Sequence, residues 1–387
     1  MSISKTSNSK QQIIYRYYVS LDAHKRSYFV KIVDSKTRKV LFNHGIVGSI
    51  DQVISRLKIL KLPKKETLVL YEAGCVGFHP YWNLQENGYT CLVIAPSSIP
   101  HNNRLRKSDK SDAGNNLNYH LSGLLRYVTV PDKDTIHIRE LNRYRDRLVD
   151  KIKKQKQQVS AFTLRYGHIF TETKSDWSKT HRKWLQKIKF APTLKVTFDF
   201  LLDELAMLEE RLCRCEKEIR RCTSVHPQVQ EYIEKLELLP GIGTITAQTL
   251  TLECGDMSRF ERPDQISRFL GLIPGLQQSG TSNPARSITK EGNELARRMV
   301  ISASKFYGDR RCLYTRKELA GFPPRLAEFI GRLQNRLNFR YRYLRDRGKH
   351  VNKVRCAVAR ELIMFLWEYT VFVLPALQME IHKERTV

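Results

Sequence analysis

The sequence predicts an α/β domain followed by all-α segments, and three observations carry this reading. Short β-rich runs are confined to residues 13–130. Residues 136–235 lose strand character and take up heptad spacing, and residues 236–387 read as helix with two Gly-rich interruptions. A polar tail, residues 1–12, precedes the first run and reads as disordered.

Taken in order, IIYRYYVSL, SYFVKIVD and RKVLFNH are three β-rich runs separated by turn residues, the pattern of an antiparallel meander. A helical stretch, SIDQVISRLKILK, leads to the strand ETLVLYEAG. A helix around FHPYWNLQENG, the strand YTCLVIAP and a helix beginning near Ser108 complete the domain, set at 13–135. This succession of elements is that of a ribonuclease-H-like domain. In the next segment, 136–235, Leu201, Leu205, Leu208, Leu212, Cys215, Ile219 and Cys222 repeat at alternating spacings of four and three. That is a coiled-coil seam, and Leu141, Leu148, Ile152, Val159 and Phe162 on an earlier helix supply its partner. An antiparallel helical arm results, closed through a less regular connector at 166–194. The remainder, 236–387, opens on LLPGIGTITAQTL, whose Gly241 and Gly243 resemble a helix-hairpin-helix turn offering free amides to a phosphate.

Charge narrows the partner class. The chain of 387 residues carries 67 Lys and Arg against 39 Asp and Glu, a formal +28, and such an excess calls for a polyanion. The apolar stretch 363–377 is broken by Glu368 and Pro375 and reads as a buried helix rather than a membrane span. The N-terminus lacks a signal-peptide run. Eight cysteines without secretory context indicate reduced thiols, so the expected location is cytoplasmic and nucleoid-associated, with no membrane partner. Between residues 305 and 356, 15 Lys and Arg stand against 4 Asp and Glu, with tyrosines and phenylalanines interleaved, which favours a nucleic-acid surface.

Four acids stand out within this basic background. Asp22 ends the first strand and Glu72 ends the strand after the first helix, and in the ribonuclease-H-like order those strands are neighbours. Asp109 and Asp112 lie three apart at the start of the last helix, so both point to one of its faces. Gathered carboxylates raise one another's pKa unless a cation offsets their repulsion, and oxygen-only ligands select Mg²⁺ or Mn²⁺. Further on, the polar loop from Gly275 to Pro284 is followed by Arg286, Lys290, Arg297 and Arg298, expected to bind phosphate. Within it Ser279 precedes a glycine, and a hydroxyl among cations is a nucleophile for phosphorus.

The segments YVSLDAHK, LYEAGCVG and KSDKSDA, then ELLPGIGTITA, FLGLIPGLQQSG and SITKEGNELARR, resemble in order the motifs of the DEDD transposases of the one-ten family of bacterial insertion sequences, relatives of the pilin-gene inversion recombinases. The resemblance covers nearly the whole chain. It implies a Holliday-junction-resolvase-like catalytic domain, a coiled-coil arm and a helical transposase domain. It also implies that Asp22, Glu72, Asp109 and Asp112 bind Mg²⁺ and that Ser279 forms a covalent phosphoserine with DNA. A bridge RNA would guide the protein to donor and target double-stranded DNA within a homo-oligomer, dimer to tetramer, whose active sites combine domains of different subunits. Ser108 stands where the family has threonine, and Ala296 where it has leucine. Ser282 and Ser287 are near, but Ser279 alone holds the serine-before-glycine position.

The expected function is therefore an RNA-guided, site-specific DNA recombinase. Two other readings stay open at this point: a metal-dependent junction nuclease in which water attacks, and a nucleic-acid-binding scaffold without catalysis.

Overall fold

The computed structural model describes residues 15–99, 109–172, 176–275 and 287–384, with backbone alone at 97, 109–113 and 381–384. It divides into two compact units, residues 1–131 and 132–387.

The first unit is a mixed six-stranded sheet in the order β3-β2-β1-β4-β5-β6. Strands β1 (Tyr17–Ala23), β2 (Ser27–Asp34) and β3 (Val40–Val47) form the expected meander, followed by helix α1 (Ile50–Ile59). Next come β4 (Thr67–Glu72), helix α2 (His79–Glu86), β5 (Thr90–Ile94) and helix α3 (Asp109–Leu121). The two-residue β6 (Tyr127–Val128) closes the sheet against β5 and was not foreseen. Strand β1 runs antiparallel to β2 and parallel to β4, and β4 runs parallel to β5.

Alternation along these strands gives the sheet two covered faces. Val19, Leu21, Val30, Ile32, Val69 and Tyr71 face α1 and α2, where Val53, Leu57 and Leu84 complete a core. Tyr18, Leu68 and Leu70 face the other way and pack with Leu117 of α3. Ser49 caps α1 through a reciprocal box with Gln52.

The second unit begins with α4 (Lys133–Arg165), capped by Asp132, and continues with α5 (Lys179–Lys187) and α6 (Pro192–Ser224). Helices α4 and α6 pair along the arm. Leu148, Cys215 and Ile219 are buried on their seam, with Leu141, Leu208, Leu212 and Cys222 packed beside them. The connector, read as irregular, contains α5, capped by Ser178 and anchored by buried His181 and Leu185.

Helices α7 (Pro227–Glu237), α8 (Thr244–Cys254), α9 (Pro263–Phe269), α10 (Glu294–Ser304), α11 (Arg316–Leu319), α12 (Pro324–Asp346), α13 (Val351–Glu368) and α14 (Leu374–Glu384) make the rest. One helical run, Val351–Glu380, is long and apolar enough to cross a membrane. Here it serves as core: Val354, Val358, Leu362, Ile363 and Leu366 are fully buried against α9, α10 and α12. A π-turn over Tyr369–Val373 precedes Pro375, whose missing N–H cannot continue the α-helical ladder.

Candidate functional site

Asp22 and Glu72 are brought together by strand register. The parallel pairing of β1 and β4 ends at Leu21 with Tyr71, and the two acids are the next residue on each strand. Counting by twos from Tyr18 and from Leu68, both lie on the sheet face that α3 covers. His24 Nε2 stands 3.3 Å from Asp22 Oδ2. Asp109 is the first residue of α3 and Asp112 lies in its first turn, and the helix packs on β1, β2 and β4. The side chains of Asp109 and Asp112 lie outside the described residues.

Two further residues occupy this face, and the sequence reading passed over both. Ser20 is fully buried, and its Oγ has no hydrogen-bond partner among the described residues. Lys31 pairs with Ser20 across β1 and β2. Its Nζ lies where a Cβ on Gly114 of α3 would be 3.1 Å away. The alternation in SYFVKIVD held the signal: Tyr28, Val30 and Ile32 are apolar and inward, so Lys31 takes the opposite face. Among the described residues no three His, Cys, Asp or Glu stand together as a metal site.

In the second unit the serine loop has a rigid base. Gly275 N donates to Ser287 O at 3.0 Å and Thr289 N to Ile273 O at 2.9 Å, so the chain leaves and re-enters as a short antiparallel ribbon. Ser279, Ser282 and Arg286, within 276–286, lie outside the described residues. Below the ribbon the two chain segments touch backbone to backbone. A Cβ on Gly271 would stand 2.1 Å from Glu291 O, and one on Gly292 would stand 2.1 Å from Phe269 O. Both glycines also have positive φ, so no other residue fits this crossing.

The cations expected around the loop have different situations. Lys290 is exposed on the ribbon's return strand. Arg297 is buried, and its Nη1 donates to Leu270 O at 2.9 Å and Glu291 O at 3.3 Å, tying the two sides of the crossing together. Arg298 forms ion pairs with Asp146 and, at 3.6 Å, with Asp150 on α4. Gly241 meets Ala303 and Phe306 closely, whereas a Cβ on Gly243, the N-cap of α8, would meet nothing within 4 Å.

Beneath α10 lies a buried ionic cluster with no counterpart in the sequence reading. Glu253 of α8 accepts both arms of Arg143 from α4, and Asn293 Nδ2 donates to its Oε2 at 2.6 Å. Asn293 Oδ1 caps α10 by accepting from Ala296 N at 2.9 Å. Burial pushes the Glu253 carboxyl up, but the hydrogen bonds from Arg143 and Asn293 outweigh it and hold the group below the usual range.

The chain matches two family models, one described as transposase of the IS116/IS110/IS902 family over residues 233–308 and one of DEDD transposases of the IS110 type over residues 19–167. It is 31% identical over 357 residues to a putative transposase, y4qE, of Sinorhizobium fredii, an alignment covering 90% of this chain and 87% of the relative. The chain belongs to the IS110 family of transposases. It is also 28% identical over 263 residues to the transposase for insertion sequence element IS1533 of Leptospira borgpetersenii, covering 66% of this chain and 73% of that one. To the transposase for IS1328 of Yersinia enterocolitica it is 25% identical over 301 residues, covering 77% and 82%. As a transposase the protein is an enzyme that acts on DNA, and a DEDD domain implies a divalent metal. The donors fit such an ion: Asp22 and Glu72 of the transposase offer hard carboxylate oxygens at adjacent strand ends. All four acids fall inside the match over residues 19–167 and Ser279 inside the match over residues 233–308.

Proposed function

We propose that this transposase cuts and rejoins DNA through a phosphoserine on Ser279, assisted by the acidic set Asp22, Glu72, Asp109 and Asp112. The observation that carries the reading is the convergence of β1, β4 and α3: Asp22, next to last in β1, and Glu72, last in the parallel neighbour β4, lie on the face that the helix opened by the other two covers. That order of strands and helices supports a ribonuclease-H-like fold for the first unit.

The Ser279 Oγ attacks a DNA phosphorus, the bond from phosphorus to the 3′ oxygen breaks, and the 3′ hydroxyl departs. The proton lost by the serine is balanced by the one that the departing 3′ oxygen takes up. In the return step a 3′ hydroxyl of another strand attacks the phosphoserine and releases the serine, so no phosphodiester is lost. The four acids would hold a Mg²⁺ or Mn²⁺ ion, which when bound would supply charge stabilisation to the reacting phosphate. Arg297 fixes the crossing beneath the loop, while Lys290, Arg286 and the amides at Gly243 supply phosphate contacts. Arg298 joins α10 to the arm through Asp146 and Asp150. The formal +28 supports a further polyanion alongside donor and target DNA, and a guide RNA within a tetramer is the form we propose.

Incubating protein, RNA and cognate DNA with Mg²⁺ and separating the products under denaturing conditions tests this. A protein-DNA adduct lost in Ser279→Ala supports it. Cleavage without an adduct, unchanged in Ser279→Ala, would replace it with a metal-dependent nuclease.

A further inference from the structure

Helix α12 has two unlike faces. Leu326, Phe329, Ile330, Leu333, Leu337 and Leu344 are buried in the core of the second unit. On the outer face, Arg332 pairs with Glu368, and Arg336 and Arg340 pair with Glu361 of α13 at 2.9 and 3.1 Å. Past Arg340 this pairing stops. Among the described residues no carboxylate pairs with Arg342, Arg345, Arg347, Lys349 or Lys353, and Asp346 is the single acid between 341 and 353.

At that point two rings stand in solvent. Phe339 is 62% exposed and Tyr343 40%, and their rings stack with centroids 6.0 Å apart and planes 16° from parallel. Arg347 continues the series: its guanidinium lies 5.5 Å from the Tyr343 ring centre, and its Nη1 donates to the Tyr343 hydroxyl at 2.8 Å. Three planar groups thus follow one another at four-residue steps along one edge of the helix. The core beneath is complete without Phe339, so burial does not account for a large ring held in water.

The geometry points to a stacking platform for unpaired bases of a DNA strand, formed by Phe339 and Tyr343 and flanked by Arg342 and Arg347. A flat ring accepts a base face of any sequence, and the uncompensated cations meet the phosphates on either side. Bases inside a duplex show only their edges, so rings on a convex helix cannot stack on them. DNA is favoured over RNA because the family acts on DNA, and exchange between duplexes exposes unpaired strands. The Tyr343 hydroxyl, the polar atom of the platform suited to reading a ribose 2′ hydroxyl, is already engaged by Arg347.

Binding of the full chain to fluorescein-labelled oligothymidylate, to its duplex with oligodeoxyadenylate and to oligouridylate tests the proposal by anisotropy. The double variant Phe339→Ala/Tyr343→Ala is expected to weaken single-strand DNA binding by about 10-fold or more and to leave the duplex within about 2-fold. Phe339→Leu, which keeps apolar volume without a ring, should weaken it in the same direction, while Phe339→Trp preserves it. Arg342→Gln should lower the salt slope by about one. An equal loss on duplex, an unchanged single-strand affinity in the ring variants, or a loss confined to oligouridylate would overturn the assignment.

Discussion

Arg143 of α4 holds Glu253 of α8 through two parallel hydrogen bonds, Nε to Oε1 at 2.8 Å and Nη2 to Oε2 at 2.9 Å. The Glu253 side chain is 1% exposed and that of Arg143 41%. Removing the arginine leaves a buried carboxylate with less compensation. Arg143→Leu is expected to destabilise the chain by about 2–3 kcal/mol in chemical denaturation, less than for a fully buried pair because the arginine is partly solvated. Arg143→Leu/Glu253→Leu should recover part of that loss, since no carboxylate is left orphaned, although buried Arg139, 4.0 Å from Glu253, and Asn293 lose that partner. Equal destabilisation in the single and double variants would contradict this account.

The same carboxylate sets an acid dependence. Its folded pKa is depressed, with burial opposing and the bonds from Arg143 and Asn293 prevailing, so it binds its proton more readily when unfolded. The stability it contributes is therefore present above the unfolded value, about 4.3, and is lost as pH falls through the folded one. Melting temperature measured from about pH 6 to pH 3 should fall less steeply in Glu253→Gln than in the parent. Parallel profiles would show that Glu253 is not a source of the acid sensitivity.

The crossing beneath the serine loop has no room for a side chain. Gly271→Ala places a Cβ 2.1 Å from one backbone oxygen and 2.7 Å from a backbone nitrogen, at a φ of +62°. Neither neighbour is a flexible side-chain end, so the ribbon must open. We expect a stability loss of about 1–3 kcal/mol and abolished DNA strand transfer although Ser279 is intact. Gly243→Ala is the contrast: its Cβ meets nothing within 4 Å, and an alanine at an N-cap glycine costs under about 1 kcal/mol. Similar melting temperatures for the two variants would refute the argument.

How far these features could be read from the sequence follows from the range over which they are encoded. SYFVKIVD alternates within one strand, and its Tyr28, Val30 and Ile32 are buried as the alternation implies. The heptad seam is equally local, and Cys215 and Ile219 sit in its buried positions. Helix α5 escaped notice because KTHRKWLQK is almost wholly polar, although Ser178 ahead of it was a legible cap. Strand β6 is two residues set by pairing with β5, a tertiary cause. Glu253 and Arg143 are 110 residues apart, and no local pattern joins them. Arg297 shows the converse: beside a polar loop it resembled a phosphate ligand, and only the fold reveals that it bonds to the backbone. The acids at Asp22 and Glu72 were legible because each lies at or beside the end of a strand whose neighbour follows from element order.

Lys31 and Gly114 give the last prediction. Gly114 lies inside α3, where alanine is favoured over glycine by about 1 kcal/mol in helix propensity. An added Cβ meets Lys31 Nζ at 3.1 Å, the flexible end of a long side chain that moves at little cost. Propensity therefore wins, and Gly114→Ala should raise the melting temperature while shifting the ammonium away from the N-terminal part of α3. Lys31 pairs with Ser20, and Asp22 lies two residues further on the same strand face, so its charge opposes a cation at the acids and favours a phosphate there. Lys31→Met should accordingly tighten Mn²⁺ binding, measured calorimetrically without DNA, and slow strand cleavage at saturating metal. Gly114→Ala should move both quantities in the same direction by a smaller amount. Unchanged Mn²⁺ binding in Lys31→Met would place the lysine outside the site's electrostatics and leave it a packing residue of α3.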